Sequence, residues 1–218
     1  MADYKETQNA RMVLIHAKSS SESFIEALGV VRKAREAGKG PPTNAEQDLA
    51  RASLVFAAAG LDSCIKHLMK ESLETLADCD EKVRGGFVKF TKKVVSDESP
   101  DRLVRALLED SPKAALLDSY IYELTGSSLQ SFDEIIKAAG ALGISEKDIV
   151  KSKSEITRIF KMRNQIIHEL DVVFDAGAGK RQRNSRARSK LEQDSKLLIE
   201  IAEIFLDQVE TKLKKSKS

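Results

Sequence analysis

The stretch Lys161-Met162-Arg163-Asn164-Gln165-Ile166-Ile167-His168-Glu169-Leu170 places a guanidinium, an amide and an imidazole where an amphipathic helix should be apolar. Ile156, Phe160, Arg163 and Ile167 share one helical stripe, and Phe160, Asn164 and His168, each four apart, form the next row. An arginine on such a stripe needs a partner, because Arg is almost never buried alone. On a straight helix Arg163 and His168 lie about 140° apart, and a bend or helix end near His168 would bring them closer. The three side chains suit phosphodiester cleavage by internal attack of a ribose 2′-oxygen. Imidazole moves protons near neutral pH. Guanidinium forks onto phosphate oxygens and offsets developing charge. Asn164 can orient the phosphate or His168 through its amide. One chain offers a single His at this site, so a two-fold homodimer with facing motifs would supply two.

A second cationic feature follows directly. Lys180, Arg181, Arg183, Arg186, Arg188 and Lys190 put six positive charges into eleven residues with no acid. Such a loop can track an RNA backbone, each phosphate contact adding salt-sensitive affinity. No aromatic is interleaved, so base stacking is not expected. The bland alternative is a solvated loop.

Other patterns carry less. Arg11…His16 repeats the Arg–His spacing without the following Asn, and His16 reads as a surface or packing histidine. His67 reads as structural. Gly177-Ala-Gly-Lys180 is no P-loop, since Phe174 stands where the first Gly belongs and Arg181 replaces the Ser/Thr. No carboxylate cluster has metal spacing, so neither a metal nor a cofactor is expected. Cys64 and Cys79 would lie about 22 Å apart on one helix, too far for a disulfide. Two cysteines without paired ligands make no zinc site.

These residues need a helical holder. Hydrophobic residues make up 41%, charged ones 32% and aromatics only 5%, a helical-bundle composition that excludes wholesale disorder. The net charge of +2 decides nothing about partners. A long first helix is expected over about residues 3–37, kinked at Ser19-Ser20-Ser21 and stopped by Gly38–Pro42. Thr43-x-x-Glu46 and Asn44-x-x-Gln47 resemble capping boxes opening a second helix. That helix carries Leu54, Ala58, Leu61, Ile65 and Leu68 on one face and Leu49, Ala52, Phe56 and Ala59 on another. It should therefore be surrounded. Asp62 ends its apolar run and needs a cation.

Shorter helices fill 80–143, with Gly85-Gly86 interrupting the third. Ser99-Pro100 and Ser111-Pro112 mark helix starts, and Lys89–Val95 is the best, weak, strand candidate. Ser152-x-x-Glu155 should cap the motif helix. Ser189-x-x-Glu192 should open a last helix bearing Leu198, Ile201, Phe205 and Val209. The basic tail from Thr211 is expected to fray. No secretory leader or membrane span is read, the longest apolar run being Leu54–Leu61, and a reducing cytoplasm fits.

Arg163-Asn164-x-x-x-His168 at a helix end, followed after a loop by a long closing helix, resembles the HEPN superfamily. The core helix ending Ala58-Ala59-Gly60-Leu61-Asp62 is similar to the segment where such domains often carry an acid. The likeness spans about residues 45–215, with only the six-residue motif specific. It implies an all-α, HEPN-like antiparallel helical bundle over residues 43–215, with the basic loop at 176–189. Residues 1–42 would pack on it as an extra helix and linker, and the middle helices would be additions. It further implies a homodimeric, metal-independent endoribonuclease of a prokaryotic defence or toxin–antitoxin type, with RNA as substrate and an antitoxin or other regulatory protein as partner. In that reading Arg163, Asn164 and His168 are catalytic and Asp62 holds Arg163. Two alternatives stay open. One is a non-catalytic module binding RNA, a nucleotide or a protein; the other is a helical adaptor using its first helix.

Overall fold

The computed structural model describes residues 4–35, 40–96, 101–149, 153–173 and 182–216. Among the described residues a 3-10 turn, Lys5–Thr7, precedes nine helices. These are α1 (Gln8–Ala34), α2 (Asn44–Cys79), α3 (Glu81–Val95), α4 (Asp101–Leu107), α5 (Pro112–Thr125), α6 (Phe132–Ala141), α7 (Glu146–Ile149), α8 (Lys153–Glu169) and α9 (Arg188–Ser216). A two-residue antiparallel pair, β1 (Val172–Val173) with β2 (Gln182–Arg183), lies between α8 and α9 in sequence. The chain is all-α, as predicted.

The Thr43 capping box forms in both directions. Thr43 N donates to Glu46 Oε2 at 2.8 Å, and Glu46 N donates to Thr43 Oγ1 at 3.2 Å. Pro112 opens α5 at a position where a missing N–H costs nothing, although the Ser111 hydroxyl makes no cap bond. Ser99, Pro100 and Ser152, expected at helix starts, lie outside the described residues.

Several expectations fail for physical reasons. α1 runs unbroken through Ser19–Ser21, because the Ser21 hydroxyl is buried 2.8 Å from that of Ser53 rather than competing for its own backbone. α3 runs through Gly85-Gly86 and includes Lys89–Val95, the supposed strand. Val83, Phe90 and Val94, at helical spacing, are buried there, and tertiary packing overrides the β-branched local preference. α9 begins at Arg188, so Ser189 is inside the helix rather than capping it, and the basic tail stays helical to Ser216.

Two compact units divide the chain: Met1–Arg11 with Cys64–Lys151 and Ile204–Ser218, and Met12–Ser63 with Ser152–Glu203. The division does not set residues 1–42 apart; α1, α2 and α9 each contribute to both units. In the first unit, Leu68, Met69, Leu73, Leu76, Ile135 and Phe205 are fully buried. Asp80 caps α3 by accepting from the backbone N–H groups of Lys82 and Val83, and it also holds Lys212 of α9. Cys64 is buried, which pushes its thiol up to about 12, and Cys79 is exposed; neither forms a disulfide.

The second unit carries the motif. Its α1 and α2 run antiparallel at close range. Ala17 faces Gly60, Ser21 meets Ser53, and the Phe24 and Phe56 rings stack with centroids 5.1 Å apart. A methyl on Gly60 would overlap the Cβ of Ala17, which has no rotamer to give way. Replacing a mid-helix Gly by Ala ordinarily gains about 0.5–1 kcal/mol. Here overpacking of about 1–3 kcal/mol should win. Gly60→Ala is therefore expected to lower the urea midpoint, and an unchanged or raised midpoint would show that the helices separate freely.

α2 is not surrounded as expected. Phe56 is 44% exposed and Ala59 is exposed, although Leu54, Ala58, Leu61, Ile65 and Leu68 are buried. By length and composition α2 is apolar enough to cross a membrane, and 56% of its apolar window is buried inside the protein.

Candidate active site

α8 holds its core face through Ile156, Ile159, Phe160, Met162 and Ile166. Arg163, Asn164 and Ile167 fall at the margin of that face and are half-buried, whereas His168 in the last turn is exposed. Arg163 Nη1 donates to Asn164 Oδ1 at 3.1 Å. Burial draws the Arg163 guanidinium below its ordinary pKa, and the Asp62 carboxylate on α2 opposes that shift. The Asp62 carboxylate therefore acts on Arg163 through its charge. Arginine remains charged despite such a shift.

The helix end expected near His168 occurs one residue later, at Glu169, too late to swing His168 toward Arg163. α8 continues to Glu169, so Arg163 and His168 stay about 140° apart around the axis and about 7.5 Å apart along it. Within one chain Arg163 is bonded to Asn164 and feels the charge of Asp62, while His168 lies on another side of the helix. The His168 ring has no side-chain partner among the described residues.

Immediately after the motif the backbone turns sharply. Leu170 and Asp171 have φ of 49° and 60°, left-handed values that non-glycine residues rarely adopt. Asp171 N donates back to Gln165 O, six residues earlier, at 3.0 Å, closing the helix end one residue wider than a Schellman bond does. The Asp171 side chain is completely buried. Its Oδ2 accepts from Arg51 Nε at 3.0 Å and Arg186 Nε at 2.8 Å, and its Oδ1 accepts from Asn184 Nδ2 at 3.0 Å and from Arg186 Nη2. Burial pushes this carboxyl up, but the hydrogen bonds from Arg186, Asn184 and Arg51 outweigh it and hold the carboxyl below the ordinary range. Arg51 is itself buried and also donates to Asp48 Oδ1, Gln47 Oε1 and Asn184 O.

That cluster absorbs part of the basic loop. Arg186 binds Asp171 and donates to Gln165 Oε1 at 3.1 Å. Arg183 donates to Leu170 O at 2.9 Å and pairs with Asp48 at 2.7 Å. Arg188 reaches Ile25 O at 3.4 Å, and Lys190 lies 3.3 Å from both Glu155 and Asp194. Lys180 and Arg181 lie outside the described residues. Asp171 and Arg51 are the residues that sequence reasoning missed.

A depression of about 260 Å³ is lined by Lys18, Ser21, Glu22, Lys196, Ile199, Glu200 and Glu203, away from the motif. His168 stands on an open surface instead. Among the described residues, no group of three or more His, Cys, Asp or Glu is placed to hold a metal ion. The chain matches no family model, no curated protein and no solved structure.

Proposed function

We propose that the protein is a metal-independent endoribonuclease, working as a homodimer in which the α8 motifs of two copies face each other. The observation that carries this reading is a half-buried guanidinium held by its neighbouring amide on the same helix as an unengaged imidazole. Arg163 donates to Asn164 and feels the charge of Asp62, and His168 is exposed in the same helix with no side-chain partner among the described residues. His168 takes the proton from the 2′-hydroxyl or delivers one to the leaving 5′-oxygen. Arg163 offsets charge on the phosphorane, and Asn164 orients the phosphate or His168. The remaining cations of the basic loop assist the RNA backbone, and a toxin or defence effector with a neutralising partner is the biological setting this activity suits.

RNA incubated with the protein in excess chelator should be cut to fragments ending in 2′,3′-cyclic phosphate. DNA of the same sequence, lacking the attacking hydroxyl, should survive. Cleavage that needs added divalent ion, or that treats DNA and RNA alike, overturns the reading.

A second reading has its own support in the 140° divergence and in the internal pairing of Arg183, Arg186 and Lys190. There the motif is structural and the protein is a non-catalytic helical module that binds RNA, a nucleotide or a protein. It predicts no cleavage at any protein concentration.

A further inference from the structure

We propose that Asp171 is the positioning residue for His168, fixing the last turn of the motif helix through a buried carboxylate gripped by Arg51 from α2 and by Arg186 from the segment after β2. The inference rests on the proposed ribonuclease reading for its functional meaning, though its structural half stands alone.

An acid–base group must be held within about 0.5 Å of its productive position, at hydrogen-bond reach of the atom it serves, and usually a neighbouring side chain holds it there. His168 has no such neighbour among the described residues, so its placement comes from the backbone that carries it. That backbone lies in the final turn of a helix, the part that ordinarily frays. Here it is followed by two left-handed residues, Leu170 and Asp171, each costing about 1–2 kcal/mol. Strain of this kind persists only where the surroundings over-determine it.

The over-determination is visible bond by bond. Asp171 N holds Gln165 O, Asn184 N donates to Asp171 O at 2.8 Å, and Arg183 Nε holds Leu170 O. The carboxylate takes both guanidinia, and Arg186 also reaches the Gln165 amide. Four backbone groups of the turn, Gln165 O, Leu170 O and both Asp171 N and O, are tied down.

α2 is the rail for both halves of the motif. Arg51 and Asp62 lie about 16 Å apart along it, and Arg163 and Asp171 are separated by about 12 Å along α8 and its end. Arg51 pairs with Asp171, while Asp62 acts on Arg163. The two interactions run in opposite sequence order, so α2 and α8 are antiparallel here. The one direct tie, Arg51 to Asp171, lies at the end that carries the imidazole.

The protein carries its own control. Asp194 is equally buried and is held by Arg158 in a bidentate pair, with bonds of 2.9 and 2.6 Å, and by Lys190, but no left-handed turn or motif residue depends on it. Asp171→Asn, Arg186→Gln and Asp194→Asn should be compared with the wild type in single-substrate RNA cleavage. The imidazole carbon-bound proton signals should be recorded by NMR well below each unfolding midpoint. The chain has three histidines, so His168→Ala assigns the relevant signal directly.

Asp171→Asn and Arg186→Gln are expected to lower kcat about 10- to 100-fold with KM within about twofold, the effect of misplacing a reacting group. They should also shift or broaden the His168 signals while leaving His16 and His67 in place. Asp194→Asn should leave kcat and the His168 signals unchanged. Arg186→Gln, altering the more exposed of the two guanidinia, keeps the test readable if Asp171→Asn does not fold. Unmoved His168 signals, or equal losses in Asp194→Asn, overturn the proposal. So does a rise in KM alone in Arg186→Gln, which assigns that side chain to the RNA. If the wild type cleaves no RNA the ribonuclease reading fails, and the His168 signals still decide whether Asp171 positions the ring.

Discussion

Mixing His168→Ala with Arg163→Ala protein is expected to restore RNA cleavage that neither variant shows alone. Each single substitution should lower kcat by about 100- to 10,000-fold, the range for losing a positioned acid–base group or a transition-state charge partner. The restoration follows from the unbroken helical register of α8 from Arg163 to His168. With His168 and Arg163 on different faces of one helix, a two-fold axis beside the motif lets the imidazole of one copy and the guanidinium of the other meet at one phosphate. In a mixed dimer one such pairing is intact and the other doubly broken. After subunit exchange at equal concentrations about half the dimers are mixed, so activity should return to about a quarter of the wild-type value. A mixture no more active than the average of its components rules out shared sites. If wild-type activity per chain also fails to fall on dilution, the dimer itself is excluded.

The parts of this site that could be read in advance are those where a charge interrupts a pattern. Arg163 breaks an apolar stripe and Asp62 ends the longest apolar run, each demanded a partner, and the charge of Asp62 does reach Arg163. Arg51 issues the same demand between Ala50 and Ala52, yet in sequence it blends with Glu46, Gln47 and Asp48, the polar opening of α2. Asp171 was hidden for another reason. Left-handed helix ends are usually signalled by glycine, and here Leu170 and Asp171 adopt them, held by tertiary bonds with no local trace. The basic loop shows the complementary limit. Counting charges reveals six cations, but the acids that engage several of them lie outside that stretch, Asp48 in α2, Glu155 in α8 and Asp194 a turn further along α9. Phe56 marks a last one. An all-round apolar helix suggested full enclosure, whereas folded surfaces retain much apolar area, and Phe56 is 44% exposed beside Phe24.

Asp171→Ala is expected to destabilise the protein by about 3–5 kcal/mol at neutral pH, because it strands the buried Arg51 guanidinium. Arg51 keeps Asp48, Gln47 and the Asn184 carbonyl on its two Nη atoms, but its Nε loses its acceptor and Asp48 is half-exposed and screens it poorly. Two components contribute and pH separates them. Alanine tolerates a left-handed φ less well than aspartate does, and that strain does not titrate. The ionic component does. Asp171 has its pKa depressed in the folded state, so its contribution is complete above the unfolded carboxyl value of about 3.9 and is lost as pH falls through the lower native value. The stability gap between wild type and Asp171→Ala, measured by urea unfolding, should stay level from pH 7 to about 5 and then narrow with further acid. Asp171→Gly, which relieves the strain, should show the same acid narrowing with a smaller offset. A gap that is constant down to pH 3 would mean that backbone geometry, and not the two guanidinia, makes this carboxylate indispensable.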